Sequence, residues 1–243
     1  NHRWRWVLLL SSSYFFYMYW NASYIVLIVA STLIDYFVAL QLDATGPAQL
    51  KRRKILLSTS ITINLGILFF FKYFNFFNTS VADALHQLGI SYTPSTLDVL
   101  LPVGISFYTF QSMAYTFDVY RGQLRAEKNV GLFATYVALF PQLVAGPIER
   151  AGNIIPQIHR EYDFDYHRAV TGSRLILWGV FKKVVIADRL SIYVDTVYNQ
   201  ADGYTGLPLI LATLYFGIQL YCDFSAYSDI AIGAARILGF DLM

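Results

Sequence analysis

The chain has 243 residues, 56% of them hydrophobic and only 14% Asp, Glu, Lys or Arg, and its mean hydropathy is +0.45. An average soluble domain carries about 25% of those four charged residues, so this composition excludes disorder and exceeds what a soluble core of this length needs. The single cysteine, Cys222, excludes a disulfide scaffold, and a net charge of +2 scattered among apolar runs argues against a nucleic-acid partner.

What remains is a polytopic membrane protein. A bilayer crossing takes about 20 mostly apolar residues. In chain order, 7–20 is apolar but short, and Asn21-Ala22-Ser23 breaks it. The segment 24–42 is a clean span with Asp35 inside it, and further spans follow at 55–73 and 97–117. The segment 130–148 is interrupted by Pro141 and by Gly146-Pro147. Then 170–190 carries Lys182-Lys183 at its middle, 207–222 is apolar, and the pattern runs on through 223–240 with polar insertions. The expected fold is all-α, a single membrane domain over 1–243 with re-entrant segments. The start at Asn1 and the end at Asp241-Leu242-Met243 predict an internal piece of a longer chain.

Lys and Arg orient the segments. They occur at 3–5, 51–54, 121–128 and 150–174, but 73–120 and 190–235 hold none. The map predicts an inner-membrane protein with 1–6, 43–54, 118–129 and 149–174 cytoplasmic, and with 74–96 and 191–206 outside. Because 118–129 and 149–174 share a side, 130–148 should dip in and return, bending between Pro141 and Pro147. Irregular backbone at membrane depth survives only where protein or a water-filled cavity satisfies its polar groups.

Polar residues inside membrane segments are costly and default to a functional hypothesis. The first cluster is Leu101-Pro102-Val103-Gly104-Ile105-Ser106-Phe107-Tyr108-Thr109-Phe110-Gln111. On a helix, Gly104, Tyr108, Gln111, Tyr115 and Asp118 fall on one face, which either lines a channel or packs on a neighbour. The second is Phe140-Pro141-Gln142-Leu143-Val144-Ala145-Gly146-Pro147-Ile148-Glu149-Arg150. Gln142 and Arg150 bring donors to it, as a constriction or as a kinked helix end.

The third is Asp223-Phe224-Ser225-Ala226-Tyr227-Ser228-Asp229 and the residues to Gly233. Ser225, Ser228, Asp229 and Arg236 share one face, which suggests an Asp229–Arg236 pair within a buried structural network. Ala231, Ala235 and Gly239 form a stripe for close packing. Lys182-Lys183 reads first as a tilted or interfacial helix, with the lysines snorkelling and Trp178 stacked on Lys182. Its sharper alternative is an anionic ligand, such as the phosphates of an acyl donor. His2, His86, His159 and His167 lack metal-ligand spacing, so no metal site is expected.

These clusters, with Asp118-Val119-Tyr120-Arg121-Gly122 between the first and second, resemble the membrane-bound O-acyltransferases, in the bacterial alginate O-acetyltransferase branch. The resemblance runs from about Arg3 to Phe240 and implies a partial fold of that family. It implies acyl transfer, usually acetyl, from a cytoplasmic thioester donor such as acetyl-CoA to hydroxyls of an extracytoplasmic polysaccharide. No bound cofactor is implied. Membrane lipids, the acyl donor, the polysaccharide acceptor and a separate exported acetyltransferase are the implied partners.

The family's catalytic histidine lies downstream of the match to 223–233, beyond Met243, so no residue is carried over as catalytic. The candidates for the substrate path are Tyr108, Gln111, Tyr115, Gln142, Arg150, Ser225, Ser228 and Asp229, with Asp223 and Arg236 assigned to the structural network. The rival is a transporter or channel with broken helices, although no internal repeat supports it.

Overall fold

The computed structural model describes residues 4–46, 48–93, 102–143 and 146–242. Every element among them is helical. In chain order they are α1 (Arg5–Trp20), α2 (Ile25–Ala44), α3 (Leu50–Gln87), α4 (Ile105–Tyr120), α5 (Val130–Ala138), α6 (Phe140–Leu143), α7 (Ala151–His159), α8 (Tyr166–Phe181), a π-helical segment (Lys182–Ala187), α9 (Asp188–Tyr198) and α10 (Leu207–Leu238). Three helices among the described residues are long and apolar enough to cross a membrane: Ala22–Ala44, Leu50–Gln87 and Leu207–Leu238. The protein is an all-α membrane protein. Its chain divides into two compact units, Asn1–Phe140 with Arg150–Ile155, and Pro141–Glu149 with Pro156–Met243.

In the first unit α4 packs on α2 and α3, while α5 packs on α1 and α2. Asn21 ends the first apolar run, and its side chain accepts from the Ser23 amide to start the next turn. The helix α3 is much longer than the expected 55–73 span. At 1.5 Å per residue its 38 residues reach about 57 Å, against a hydrocarbon core of about 30 Å. The stretch 74–87 was expected outside as a loop, but it contains neither Gly nor Pro, so helix persists after hydropathy falls. Gly89, at φ +76°, ends it: the Gly89 amide donates to His86 and the Ile90 amide to Leu85. Residues 94–96 of that loop, and 97–101 of the next expected span, lie outside the described residues. The span itself begins as helix only at Ile105, after Gly104 at φ +73°.

The segment 130–148 is not one helix. Asn129 caps α5 through the amides of Gly131 and Leu132. The helix stops after nine residues, about 14 Å, too short to cross. The chain turns at Leu139, two residues before the expected bend, because Pro141 can neither donate to Val137 nor fit its ring against that carbonyl in a continuing helix. Pro141 sits instead in the first turn of α6, where no amide proton is needed. The Phe140 amide freed by this break donates to Ser13 Oγ of α1 at 3.1 Å, and Ser13 is fully buried. Val144 and Ala145, inside the expected bend, lie outside the described residues.

In the second unit, helix runs without interruption from Tyr166 to Tyr198 and packs antiparallel on α10. The closest approach is made by glycine. A Cβ on Gly172 would lie 2.7 Å from the Gly233 carbonyl oxygen, and one on Gly179 would lie 2.7 Å from that of Ala226. The expected stripe of Ala231, Ala235 and Gly239 is therefore not the seam of closest contact. Ala231 and Ala235 are buried, but Gly239 terminates α10 at φ +93°, with the Phe240 amide donating to Ala235 and the Gly239 amide to Arg236. The Gln157 amide group then holds the backbone of Asp241 in two hydrogen bonds, of 2.8 and 3.0 Å.

Candidate functional site

The polar residues of α10 meet the paired lysines. Lys182 Nζ lies 2.6 Å from Asp229 Oδ2 and donates to Ser225 Oγ at 2.9 Å. Lys183 Nζ lies 2.6 Å from Asp223 and 2.9 Å from Asp188, with the Tyr227 ring 5.6 Å away. Both lysines sit at the start of the π-helical segment, a widened turn of the kind that often marks functional sites. Antiparallel packing explains how carboxylates six residues apart, about 9 Å along α10, are both engaged: Gly172 against Gly233 and Gly179 against Ala226 place the lysine pair beside 222–229.

Several expectations change here. Asp229 pairs with Lys182 and not with Arg236. Asp223 is held by Lys183. Lys182 is buried, not snorkelling, and Trp178 stacks on Phe181 at 5.5 Å instead of on Lys182. Both ammonium groups are paired with carboxylates, Lys182 with Asp229 and Lys183 with Asp223 and Asp188. Ser228 donates to the carbonyl of Phe224, a bond within its own helix.

The stripe on α4 faces packed protein, not a channel. Gln111 Nε2 donates to the carbonyl of Tyr136 at 2.9 Å, and Tyr136 Oη donates back to that of Gln111 at 3.2 Å. Tyr115 accepts from the Glu127 amide at 2.8 Å, with its ring 4.5 Å from that of Phe133. Tyr108 is 1% exposed, with its hydroxyl facing that of Tyr17. Gln142 is likewise buried. The side chain of Arg150 is 70% exposed, and its guanidinium lies 3.7 Å from Asp118.

Two features escaped sequence reasoning. One is the lysine–aspartate pairing itself. Its available signal was two cations in one apolar helix and two anions in another, which a membrane helix pair would bring together. The other is a polar knot around Asp35 in the first unit, joining α2 to Ser60 and Asn64 of α3. Its signal was an acid in one span and two polar residues four apart in the next. A third cation works at the end of the helices: Arg53 donates to the carbonyls of Leu42, Thr45 and Tyr120, closing the C-termini of α2 and α4 together.

No protein-family model matches the chain. It is 38% identical over 242 residues to a probable alginate O-acetylase of Azotobacter vinelandii, covering 99% of this chain and 48% of that protein. Against the probable alginate O-acetylase of Pseudomonas syringae pv. tomato it is 40% identical over 247 residues, with 99% and 46% covered. The chain belongs to the membrane-bound O-acyltransferases. Within that family the similarity reaches the peptidoglycan O-acetyltransferase of Helicobacter pylori, 34% identical over 252 residues, with 93% and 46% covered. The chain spans about half the length of the curated relatives it matches.

Proposed function

We propose that the protein carrying this chain is an O-acyltransferase that moves an acetyl group from a cytoplasmic thioester, acetyl-CoA or a similar donor, to hydroxyls of an extracytoplasmic polysaccharide. The observation that carries this reading is the alignment of nearly the whole chain with alginate O-acetylases and with a peptidoglycan O-acetyltransferase. Those names share O-acetylation and differ in the glycan, which supports a polysaccharide acceptor.

The fold fits the chemistry. A cytoplasmic donor and an external acceptor require a path through the bilayer. A short buried helix ending in a protein-satisfied backbone break is the kind of irregularity that only an enclosing protein body supports. The ion pairs on α10 hold a helix pair in register, and so act on the reaction through position. A separate exported acetyltransferase completes or receives the transfer, and the inner membrane houses the protein described here.

The test is ester-linked acetate released by mild base from the cell-surface polysaccharide, in cells with and without the full gene. Loss on deletion and return on complementation support the reading, as does label passing from acetyl-CoA to glycan in isolated membranes. Unchanged acetate in the deletion strain overturns it, and solute movement without ester formation would favour a transporter.

A further inference from the structure

A groove of about 430 Å³ runs along the start of α8 in the second unit. Tyr166, Val170, Ser173, Arg174 and Leu177 line it from one face of the helix, and Phe164 lines it from the preceding loop. Its polar side chains are unengaged. Arg174, Ser173 and Tyr166 make no side-chain hydrogen bond or ion pair among the described residues. The neighbouring cation differs: Arg168 donates to the Asp163 carbonyl at 3.1 Å and lies 5.3 Å from the Tyr162 ring.

Arg174 also stands at a boundary. Glu161, Asp163, Asp165, His167 and Arg168 precede it, whereas 175–181 holds no charged side chain. Leu177, Trp178, Val180 and Phe181 on that stretch are exposed, as residues in contact with hydrocarbon are. Phe164, Tyr166 and Trp178 are exposed too, and aromatic side chains gather at the headgroup level of membrane proteins. The groove therefore crosses the layer that holds lipid phosphates, with its apolar wall continuing into the hydrocarbon.

Charge and shape choose the occupant. A lipid phosphodiester brings one negative charge, which matches the single guanidinium, and its oxygens accept from the planar fork of arginine and from hydroxyls. An attached acyl chain covers the apolar wall. A nucleotide with several phosphates would leave most of its charge unmatched here. We propose that this groove binds one phospholipid of the membrane, its phosphodiester held by Arg174, Ser173 and Tyr166 and an acyl chain laid over Val170 and Leu177. The site does not depend on which acyl acceptor the enzyme serves.

The experiment is native mass spectrometry of the delipidated full-length protein in a neutral detergent, titrated with dioleoyl phosphatidylglycerol. Two further probes are dioleoylglycerol, which has the chains without the phosphate, and glycerol 3-phosphate, which has the phosphate without the chains. The phospholipid should bind at one saturable site and raise the Tm, and neither partial probe should match it. Arg174→Gln should raise the Kd by at least about tenfold, because a charge-assisted contact is lost. Arg174→Lys should recover part of that loss. Arg189→Gln, which removes another exposed arginine, should leave the Kd unchanged. Arg174 is exposed, and an unaltered Tm of the lipid-free variant shows that its fold is intact. Equal binding of dioleoylglycerol overturns the proposal, and equal binding of glycerol 3-phosphate assigns the groove to a soluble phosphate and overturns it too. Affinity unchanged in Arg174→Gln, or lowered equally in Arg189→Gln, refutes a site built on Arg174.

Discussion

Replacing Asp229 by Ala in the full-length protein tests the pairing of α10 with the lysines. Lys182 and Asp229 touch at 2.6 Å, with side chains only 11% and 22% exposed. Removing one member of a buried pair costs about 3–5 kcal/mol, because a charge is left without its partner. Two features favour the lower end. Asp229 keeps some contact with its surroundings, and Lys182 retains Ser225 Oγ as an acceptor at 2.9 Å. About 3 kcal/mol is then expected, a change of roughly a hundredfold in the folded-to-unfolded ratio. Removing both charges, as Lys182→Met with Asp229→Leu, should recover most of that loss, because the desolvation cost vanishes along with the attraction. Reversible unfolding in mixed micelles, followed by circular dichroism, of the wild type, Lys182→Met, Asp229→Leu and the double variant gives the four stabilities of the double-mutant cycle. Additive losses, or a single-variant loss below about 0.5 kcal/mol, would refute a coupled buried pair.

The helix seam makes a second prediction: Gly233→Ala puts a methyl into the space of the Gly172 carbonyl, 2.6 Å away, and should cost about 1–3 kcal/mol. Gly217→Ala, with nothing within 4 Å, should be neutral or stabilising by up to about 1 kcal/mol in the same unfolding assay. Arg53→Gln removes a cation shared by three carbonyls and should cost at least about 2 kcal/mol, with Arg53→Lys recovering less than half, since an ammonium lacks the planar fork; increased protease cleavage near 45–49 reports the loss. Topology is checked by labelling single cysteines in intact cells, where Ser80→Cys and Asn199→Cys should react and Ala48→Cys and Lys128→Cys should not. All four positions are exposed, and the native Cys222 is buried and gives little background. The opposite pattern reverses the orientation and the donor side.

Sequence alone determined the membrane class, because the apolar fraction and the length of each run reflect the cost of placing polar groups in hydrocarbon. It also marked the breaks at Asn21 and Pro141, which act through local backbone chemistry that needs no neighbour, whereas Asn129 as a cap went unread and Gly239 was read as packing when it ends a helix. It went wrong where hydropathy stood in for helix, at 74–87, because a helix leaving an apolar layer loses hydropathy without losing its hydrogen bonds.

The tertiary structure alone decided which polar residues meet. Helical spacing places Asp229 on a face with Arg236, but a fixed pitch within one helix says nothing about a neighbour that comes closer. Packing through Gly172, Gly179, Ala226 and Gly233 sets the register that delivers Lys182 to Asp229 and Lys183 to Asp223. The same holds for Asp35, whose partners Ser60 and Asn64 come from another helix and Ser112 and Thr116 from a third. Contacts of that kind arise from how helices dock, and docking depends on the shapes of several surfaces at once, which no single stretch of sequence contains.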